Sequence, residues 1–340
     1  MSSPRLDYFD IAKGLAMFCV IAGHMGVQQV NPIFHSINMP LFLIVSGYFY
    51  KADTTKVLRN SKRLLTAYCW TVVAILVLSE VRALAKILLN GDDVITLIKV
   101  AGKWILIGLY GSGVRTDFLG LHFPGVIGAM WFLLALIWGM GILLIISKFQ
   151  RGWQQGVAVV LFFLVGWLTA KWTWLPLSVQ SGMCATLFMF IGYKVRVYKE
   201  LEKRNIFIPL SIVMWSVALY FSFTNGDMLV ASSRYPNVVI NIVGSIAATY
   251  LVVCVSRWIS RVGKGPVYRY MLFWGRNTLV ALCAHSVEPH IFHFWKVYSL
   301  IDIRPIAFIV VFCLKVLWCT LVVLLFNKYK DRIHSFLTRV

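Results

Sequence analysis

Long apolar runs recur along almost the whole chain, separated by short polar stretches. A helix needs about 17–25 mostly apolar residues to cross the hydrocarbon core of a bilayer. The pattern predicts an all-α polytopic membrane protein with about ten transmembrane helices, formed by a single domain over residues 1–340. The ten runs of roughly this length are 9–26, 36–50, 64–79, 126–147, 157–170, 178–195, 206–223, 238–256, 272–292 and 305–326.

A weaker apolar stretch, 95–110, is interrupted by two lysines and two glycines. Counting it as an eleventh span would invert the orientation of every later segment. The distribution of Lys and Arg can therefore decide whether this stretch spans the membrane. With ten spans and a cytoplasmic N-terminus, 22 of the 33 Lys and Arg residues lie in cytoplasmic segments, as the positive-inside rule requires. We therefore expect 80–125 to be one long external segment with an interfacial or re-entrant piece at 95–110, and both termini to be cytoplasmic.

The composition supports the membrane assignment and removes other classes. The 340 residues are 59% hydrophobic and only 14% charged, whereas soluble domains have about 25% charged residues. The net charge of +20 would indicate nucleic-acid binding in a soluble protein, but here it reports orientation, so no nucleic-acid partner is expected. The seven cysteines lie in apolar runs without CxxC spacing, which predicts neither disulfides nor a metal site.

The first apolar run contains three ionisable residues, which are costly inside a bilayer and therefore indicate function. Lys13 and His24 are eleven residues apart, which is about 20° from a whole number of helical turns and a rise of about 16 Å. Both are thus predicted on one helix face, Lys13 towards the cytoplasm and His24 towards the exterior. Asp10 lies one turn below Lys13 and can pair with it. The alternative is that both side chains simply reach the headgroups at their own interface.

Histidines and carboxylates gather near the predicted external ends of the spans. His285 and Glu288 lie in the ninth run, and His35 precedes the second run. A histidine beside a carboxylate is typical of general-base catalysis, because the carboxylate orients the ring and stabilises the imidazolium. A proton relay in a transporter and plain solvation at the interface are the other two interpretations.

The predicted cytoplasmic side carries a basic cluster at the start of the third run. Arg59, Lys62 and Arg63 follow at roughly one-turn spacing, and Arg276 lies at the cytoplasmic side of the ninth run. Lys and Arg bind phosphate well, so these residues are candidates for an anionic cofactor. A simple orientation signal is the default interpretation of such a cluster, and a pocket for an anionic cofactor is the alternative.

Several segments resemble one known family. The stretch DYFDIAKGLAMFCVIAGH, with ten residues between Lys13 and His24, resembles the Lys/Arg-x10-His signature of the acyltransferase-3 family of integral membrane proteins. The resemblance extends in order to MPLFLIVSGYFYK (39–51), RNSKRLLTAY (59–68), AMWFLLAL (129–136) and GRNTLVALCAH (275–285). Within the family, the chain is most similar to the short, fucose 4-O-acetylase-like branch of sugar O-acetyltransferases.

Two positions depart from the family pattern. Many relatives have histidine immediately before the Met-Pro pair of the second span, where this chain has Asn38, with His35 three residues earlier. The basic motif reads Arg-x-x-Lys-Arg from Arg59 to Arg63 instead of a strict Arg-x-x-Arg. The class of protein that the resemblance implies is unchanged by these departures.

The resemblance implies an O-acyltransferase in a bacterial inner membrane. It would move an acetyl or other acyl group from cytoplasmic acyl-CoA to a hydroxyl of a surface polysaccharide or its lipid-linked precursor. On this chain, His24 would be the base or acyl-handling residue and Lys13 the basic position of the signature. Arg59, Lys62 and Arg63 fall where the cytoplasmic basic motif of the family lies.

The residues and the resemblance together give a mechanistic hypothesis. The thioester meets the acceptor hydroxyl at His24, which removes the proton, with His285 or Glu288 nearby as orienting groups. The cytoplasmic basic residues, Arg276 included, hold the CoA phosphates. The alternative is a transporter or flippase for a sugar or lipid-linked glycan that uses His24, Lys13 and Glu288, although the sequence shows no inverted repeat of the transporter kind.

Overall fold

The structure is a computed structural model that describes residues 6–91, 93–115, 117–118, 121–197 and 207–337. The two chain ends, which were predicted to be cytoplasmic, and the basic stretch 198–206 lie outside these ranges. The described part is helical apart from one short antiparallel hairpin, β1 (Asp117–Phe118) with β2 (Leu121–His122). Its helices are α1 (Asp7–Gly23), α2 (Asn31–Phe49), α3 (Thr54–Asn90), α4 (Ile95–Tyr110), α5 (Trp131–Ile146), α6 (Gly152–Thr169), α7 (Val179–Val197), α8 (Ile208–Asn225), α9 (Val238–Val262), α10 (Pro266–Arg276), α11 (Thr278–Val287), α12 (Phe294–Leu300) and α13 (Arg304–Leu337). Short 3₁₀ turns lie at Gly128–Met130, Pro176–Ser178, Val230–Ser232 and Glu288–His290.

The helices confirm a polytopic membrane protein. Each of the ten predicted apolar runs overlaps one or two of them. Within the described residues, six helical segments are long and apolar enough to cross a membrane. The predicted number of ten spans stays a prediction. The six segments are Asn31–Phe49, Gly128–Ile146, Gly152–Thr169, Ile208–Asn225, Val238–Val262 and Arg304–Lys330.

The ninth predicted run, 272–292, is not one helix. It is divided at Asn277, whose backbone angles (φ −116°, ψ 19°) leave the helical region between α10 and α11. The Asn277 side-chain amide donates to the carbonyl of Phe273 at 2.8 Å, so a side chain competes here for helical backbone partners. Apolar periodicity could not reveal this break, because apolar residues continue on both sides of it.

The predicted external segment 80–125 also differs in detail. Its first part is helical, because α3 continues to Asn90 and ends at Gly91, which adopts the left-handed conformation (φ 71°). The stretch 95–110 forms α4, which folds back along α3: the Tyr68 hydroxyl donates to the carbonyl of Gly108 at 2.6 Å. The two helices form a hairpin, and the side of the membrane on which it lies stays a prediction.

Helix α1 lies at the centre of the bundle. It contacts α2, α9, α10, α11 and α13, and Ile11, Ala12 and Ile21, which point to different sides of it, are fully buried. A helix that is apolar all round belongs inside a bundle. The contact with α10 is close, since a Cβ at Gly275 would lie 1.6 Å from the carbonyl oxygen of Asp10. The packing of this central helix therefore fixes the positions of the ionisable residues at its two ends.

Candidate active site

His24 lies at the end of α1, where it is the C-terminal capping residue. Its Nδ1 lies 2.7 Å from the carbonyl oxygen of Val20. A carbonyl can only accept, so Nδ1 carries the proton and Nε2 presents a lone pair in the neutral ring. The side chain is exposed. The helix end therefore fixes the tautomer and leaves the basic nitrogen accessible.

His285 and Glu288 lie beside His24, as part of a buried polar group. The rings of His24 and His285 are 5.1 Å apart between centroids and meet edge to face. His285 is 4% exposed and Glu288 1% exposed. Nδ1 of His285 lies 3.9 Å from Oε2 of Glu288, which is too long for a hydrogen bond. The two predicted orienting residues are close to His24, but the carboxylate does not bond to either histidine.

The partner of Glu288 is Lys315, a residue that was not selected from the sequence. Nζ of Lys315 lies 2.5 Å from Oε2 of Glu288, and Lys315 is 8% exposed. The pair joins α13 to the turn after α11, and a bond from Trp318 Nε1 to the carbonyl of Ala284 (3.0 Å) fixes the same contact. The sequence could have identified Lys315, because it is a charged residue inside the apolar run 305–326. Lys13 was identified by the same criterion.

A second histidine–carboxylate pair lies on another side of His24. Nδ1 of His35, in the first turn of α2, lies 2.5 Å from Oδ2 of Asp227, in the loop after α8. Arg234 bonds to the other carboxylate oxygen. Burial alone would raise the pKa of Asp227, but the hydrogen bond from His35 and the charges of His35 and Arg234 outweigh it and hold this pKa below its usual value. Asp227 is therefore an ionised carboxylate held between His35 and Arg234.

A cavity of about 530 Å³ leads towards His24 from the predicted cytoplasmic side. At one end it is basic, and along its length it is apolar. At the other end it reaches Val20, the residue whose carbonyl accepts the hydrogen bond of His24. The basic lining residues are Lys13, Lys51, Lys56, Arg59 and Arg63. The apolar lining includes Met17, Val20, Met39, Phe42, Phe132, Leu133, Leu136, Met140, Leu279 and Leu282.

The cavity also brings together the segments that carry the family resemblance. Segments 39–51, 59–68, 129–136 and 275–285 all contribute lining residues, as does the first helix. These segments are far apart in the sequence and meet only in the folded bundle. The motifs therefore line one cavity in the folded protein and do not form separate sites.

Not all of the predicted cofactor-binding residues line this cavity. Lys13, Arg59 and Arg63 do, but Lys62 and Arg276 do not. Lys62 is exposed on another face of α3, because neighbouring helical positions point about 100° apart. Arg276 instead lies at 3.2 Å from Asp7 and 3.7 Å from Asp10, so it is engaged by carboxylates of α1.

Lys13 has a partner as well as a place in the cavity. Its Nζ lies 2.7 Å from Oδ1 of Asp10, the one-turn pairing that the sequence suggested.

Two further basic lining residues, Lys51 and Lys56, were counted in the cytoplasmic charge but not selected as candidates. Lys51 lies just before α3 and Lys56 lies in its first turn, and these positions could have identified them from the sequence.

Metal binding has no support among the described residues. No group of three or more His, Cys, Asp or Glu side chains in that part of the chain has the geometry to hold a metal ion. The seven cysteines are free.

The fold and the site define a polytopic membrane protein with a histidine one helical turn beyond a basic and apolar cavity. The family model of the acyltransferase-3 proteins, described as an acyltransferase domain, matches residues 6–327. The chain belongs to this family and is a membrane acyltransferase. Neither the search of curated proteins nor the search of solved structures finds a match.

Proposed function

We propose that the chain is an O-acetyltransferase of the sugar-modifying, fucose 4-O-acetylase-like kind. It transfers an acetyl group from cytoplasmic acetyl-CoA to a hydroxyl of a surface polysaccharide or its lipid-linked precursor. The observation that carries this proposal is the cavity with a basic mouth and an apolar course that ends one helical turn from His24. In this proposal about ten spans cross the bacterial inner membrane, and both termini are cytoplasmic.

The lining of the cavity suits the chemistry of coenzyme A. The donor has a 3′-phosphate and a pyrophosphate at one end of a long, weakly polar pantetheine arm, with the thioester at the far end. Arg59 and Arg63 at the mouth offer forked, charged donors to phosphate oxygens. The apolar walls, with Phe42 and Leu136 among them, suit the arm. The thioester then arrives near Val20, next to His24.

His24 supplies the reactive group in this proposal. Because Val20 holds Nδ1–H, the lone pair of Nε2 is available to act on the thioester or on the acceptor hydroxyl. His285 packs against the ring and limits its rotation. Glu288 acts through its bond to Lys315, as a buried positioning residue beside His285. The acceptor enters from the side of the loops that carry His24 and Asp227.

The test of the donor site compares two positions in the basic cluster of α3. The double variant Arg59→Ala/Arg63→Ala should raise the Kd for acetyl-CoA about 10- to 100-fold, since a hydrogen bond to a charged group contributes about 1.5–3 kcal/mol. Lys62→Ala, which removes a charge from the same helix outside the cavity, is the matched control and should change the Kd less than about threefold. Equal effects in the two variants would mean that only general charge matters and would reject a phosphate site at the mouth.

A further inference from the structure

The His35–Asp227 pair has the arrangement of a general base with its supporting carboxylate. Asp227 is ionised by its partners and can only accept, so Nδ1 of His35 carries the proton and Nε2 presents a lone pair. The imidazolium that forms on proton uptake would face the carboxylate directly at 2.5 Å. A carboxylate in this position stabilises the charged ring. The side chain is 13% exposed, so it remains in contact with solvent.

The free nitrogen of His35 is directed towards the end of α1. A Cβ at Gly23 would lie 3.3 Å from both Nε2 and Cδ2 of His35. The imidazole edge therefore rests on the residue next to His24. Gly23 leaves the space that this contact needs. The two histidines thus flank one short piece of backbone, with His35 on the side of the outer loop and His24 at the end of the cavity.

His24 has the opposite electrostatic surroundings. Its Nδ1 is held by a neutral carbonyl, and its interactions with ionisable neighbours are with His35 and Lys315. His285 faces it as a third ring. No carboxylate bonds to the ring of His24 among the described residues. His35 therefore has a carboxylate that stabilises the imidazolium formed on proton uptake, whereas the neutral ring of His24 presents a lone pair on Nε2.

We propose that the His35–Asp227 pair accepts the proton of the acceptor hydroxyl, which leaves His24 to carry the acyl group between donor and acceptor. This inference rests on the proposed function. First, Nε2 of His24 bonds to the acyl carbon, the carbon–sulfur bond breaks, and the sulfur leaves with its electron pair as CoA thiolate. The acceptor oxygen then bonds to the same carbon, its proton passes to Nε2 of His35, and the carbon–nitrogen bond breaks and returns its electron pair to His24. His35 finally releases the proton to water.

The test uses variants of the full chain at matched levels in the membrane. His35→Asn is the informative change, because the asparagine amide can still donate to Asp227 as Nδ1–H does, while the basic Nε2 is lost. His24→Ala removes the acyl carrier. His293→Asn, at an exposed histidine in the loop before α12, is the matched control. Two quantities are measured: label retained on the purified protein after exposure to radiolabelled acetyl-CoA, and alkali-labile acetate on the surface glycan of the producing cells.

We expect His35→Asn to retain at least as much label as the wild type while glycan acetate falls about 100-fold or more, the range of a lost general base. His24→Ala should take no label and give no acetate, and His293→Asn should match the wild type in both. Glycan acetate within twofold of wild type in His35→Asn, or loss of its label, would overturn the proposal. Glycan acetate without label in the wild type would overturn the acyl-carrying step. Failure of both readouts in the wild type would instead reject the proposed function.

Discussion

At the scale of single residues, a lysine and a glutamate are buried together behind the histidines. Nζ of Lys315 lies 2.5 Å from Oε2 of Glu288, and both residues are buried. Removing one member of a buried ion pair leaves an uncompensated charge, which is far more costly than replacing both members. The pair is therefore a sensitive point for the stability of the bundle, independently of catalysis.

We predict that Lys315→Met destabilises the protein by about 3–5 kcal/mol, because it strands the carboxylate of Glu288. The midpoint of thermal unfolding in detergent should fall clearly. The double variant Lys315→Met/Glu288→Leu removes both charges and should recover most of the loss. A double variant as unstable as the single one would contradict the buried pair as the cause.

The ionised carboxylate of Asp227, in the loop after α8, predicts a dependence of stability on pH. Since the pKa of Asp227 is lowered in the folded state, its contribution is fully present above the pKa of the unfolded chain and is lost as the pH falls through the folded value. Asp227→Asn should therefore lower the unfolding midpoint at pH 7. The difference from wild type should shrink as the pH falls below about 4. Asp302→Asn, at an exposed aspartate, is the control and should change the midpoint little at either pH.

The residues of the site differ in how well the sequence could reveal them. Ionisable side chains in apolar runs are few, so Lys13 and His24 stood out by spacing alone. Lys315 satisfied the same rule and could have been selected. Asp227 could not, because it lies in a loop 192 residues from His35, and only tertiary packing brings the two together. The spacing of residues within one helix can be read from a sequence. A contact between two helices produces no regular spacing in a single sequence, so it cannot be predicted in this way.

At the scale of helices, glycines decide how closely α2 and α7 approach. A Cβ at Gly47 would lie 1.9 Å from the carbonyl oxygen of Met189, and one at Gly192 would lie 1.9 Å from that of Ile44. Each helix thus places a glycine against the backbone of the other, as small residues do in membrane bundles. The close approach at Gly47 serves helix packing, and it positions α2, which carries His35 and lines the cavity.

We predict that Gly192→Ala destabilises the bundle by about 1–3 kcal/mol or more, because the methyl group meets backbone that cannot move aside without shifting a helix. Gly141→Ala in α5 is the matched control, since a Cβ there meets nothing within 4 Å. It should be neutral or slightly stabilising, as alanine favours a helix over glycine by about 1 kcal/mol. Unfolding midpoints of the two variants give the comparison, and a lower midpoint for Gly141→Ala would contradict it.

The helices were predictable to different degrees. Apolar length indicated the position of nearly every one, because a membrane allows few other structures. The break at Asn277 and the extension of α3 to Asn90 were not predictable in this way. The first depends on one side-chain bond within an apolar run, and the second on a helix that continues through polar residues.

At the scale of the whole molecule, the bundle joins two chemically different faces. The basic mouth of the cavity lies at the start of α3, and the dyad of His35 and Asp227 lies at the opposite ends of α2 and α8. His24 lies between them, at the end of α1. In the proposed function, this order lets one chain take an acyl group from a donor on one side and give it to an acceptor on the other, without moving either substrate across.

The most direct test of the account is the acetylation of the surface glycan in a strain that lacks the gene. NMR of the purified glycan should show O-acetyl signals that are lost on deletion and restored by the wild-type chain. His24→Ala, present in the membrane at the same level, should leave them absent. Unchanged signals in the deletion strain, or full restoration by His24→Ala, would contradict acyl transfer to the glycan at His24.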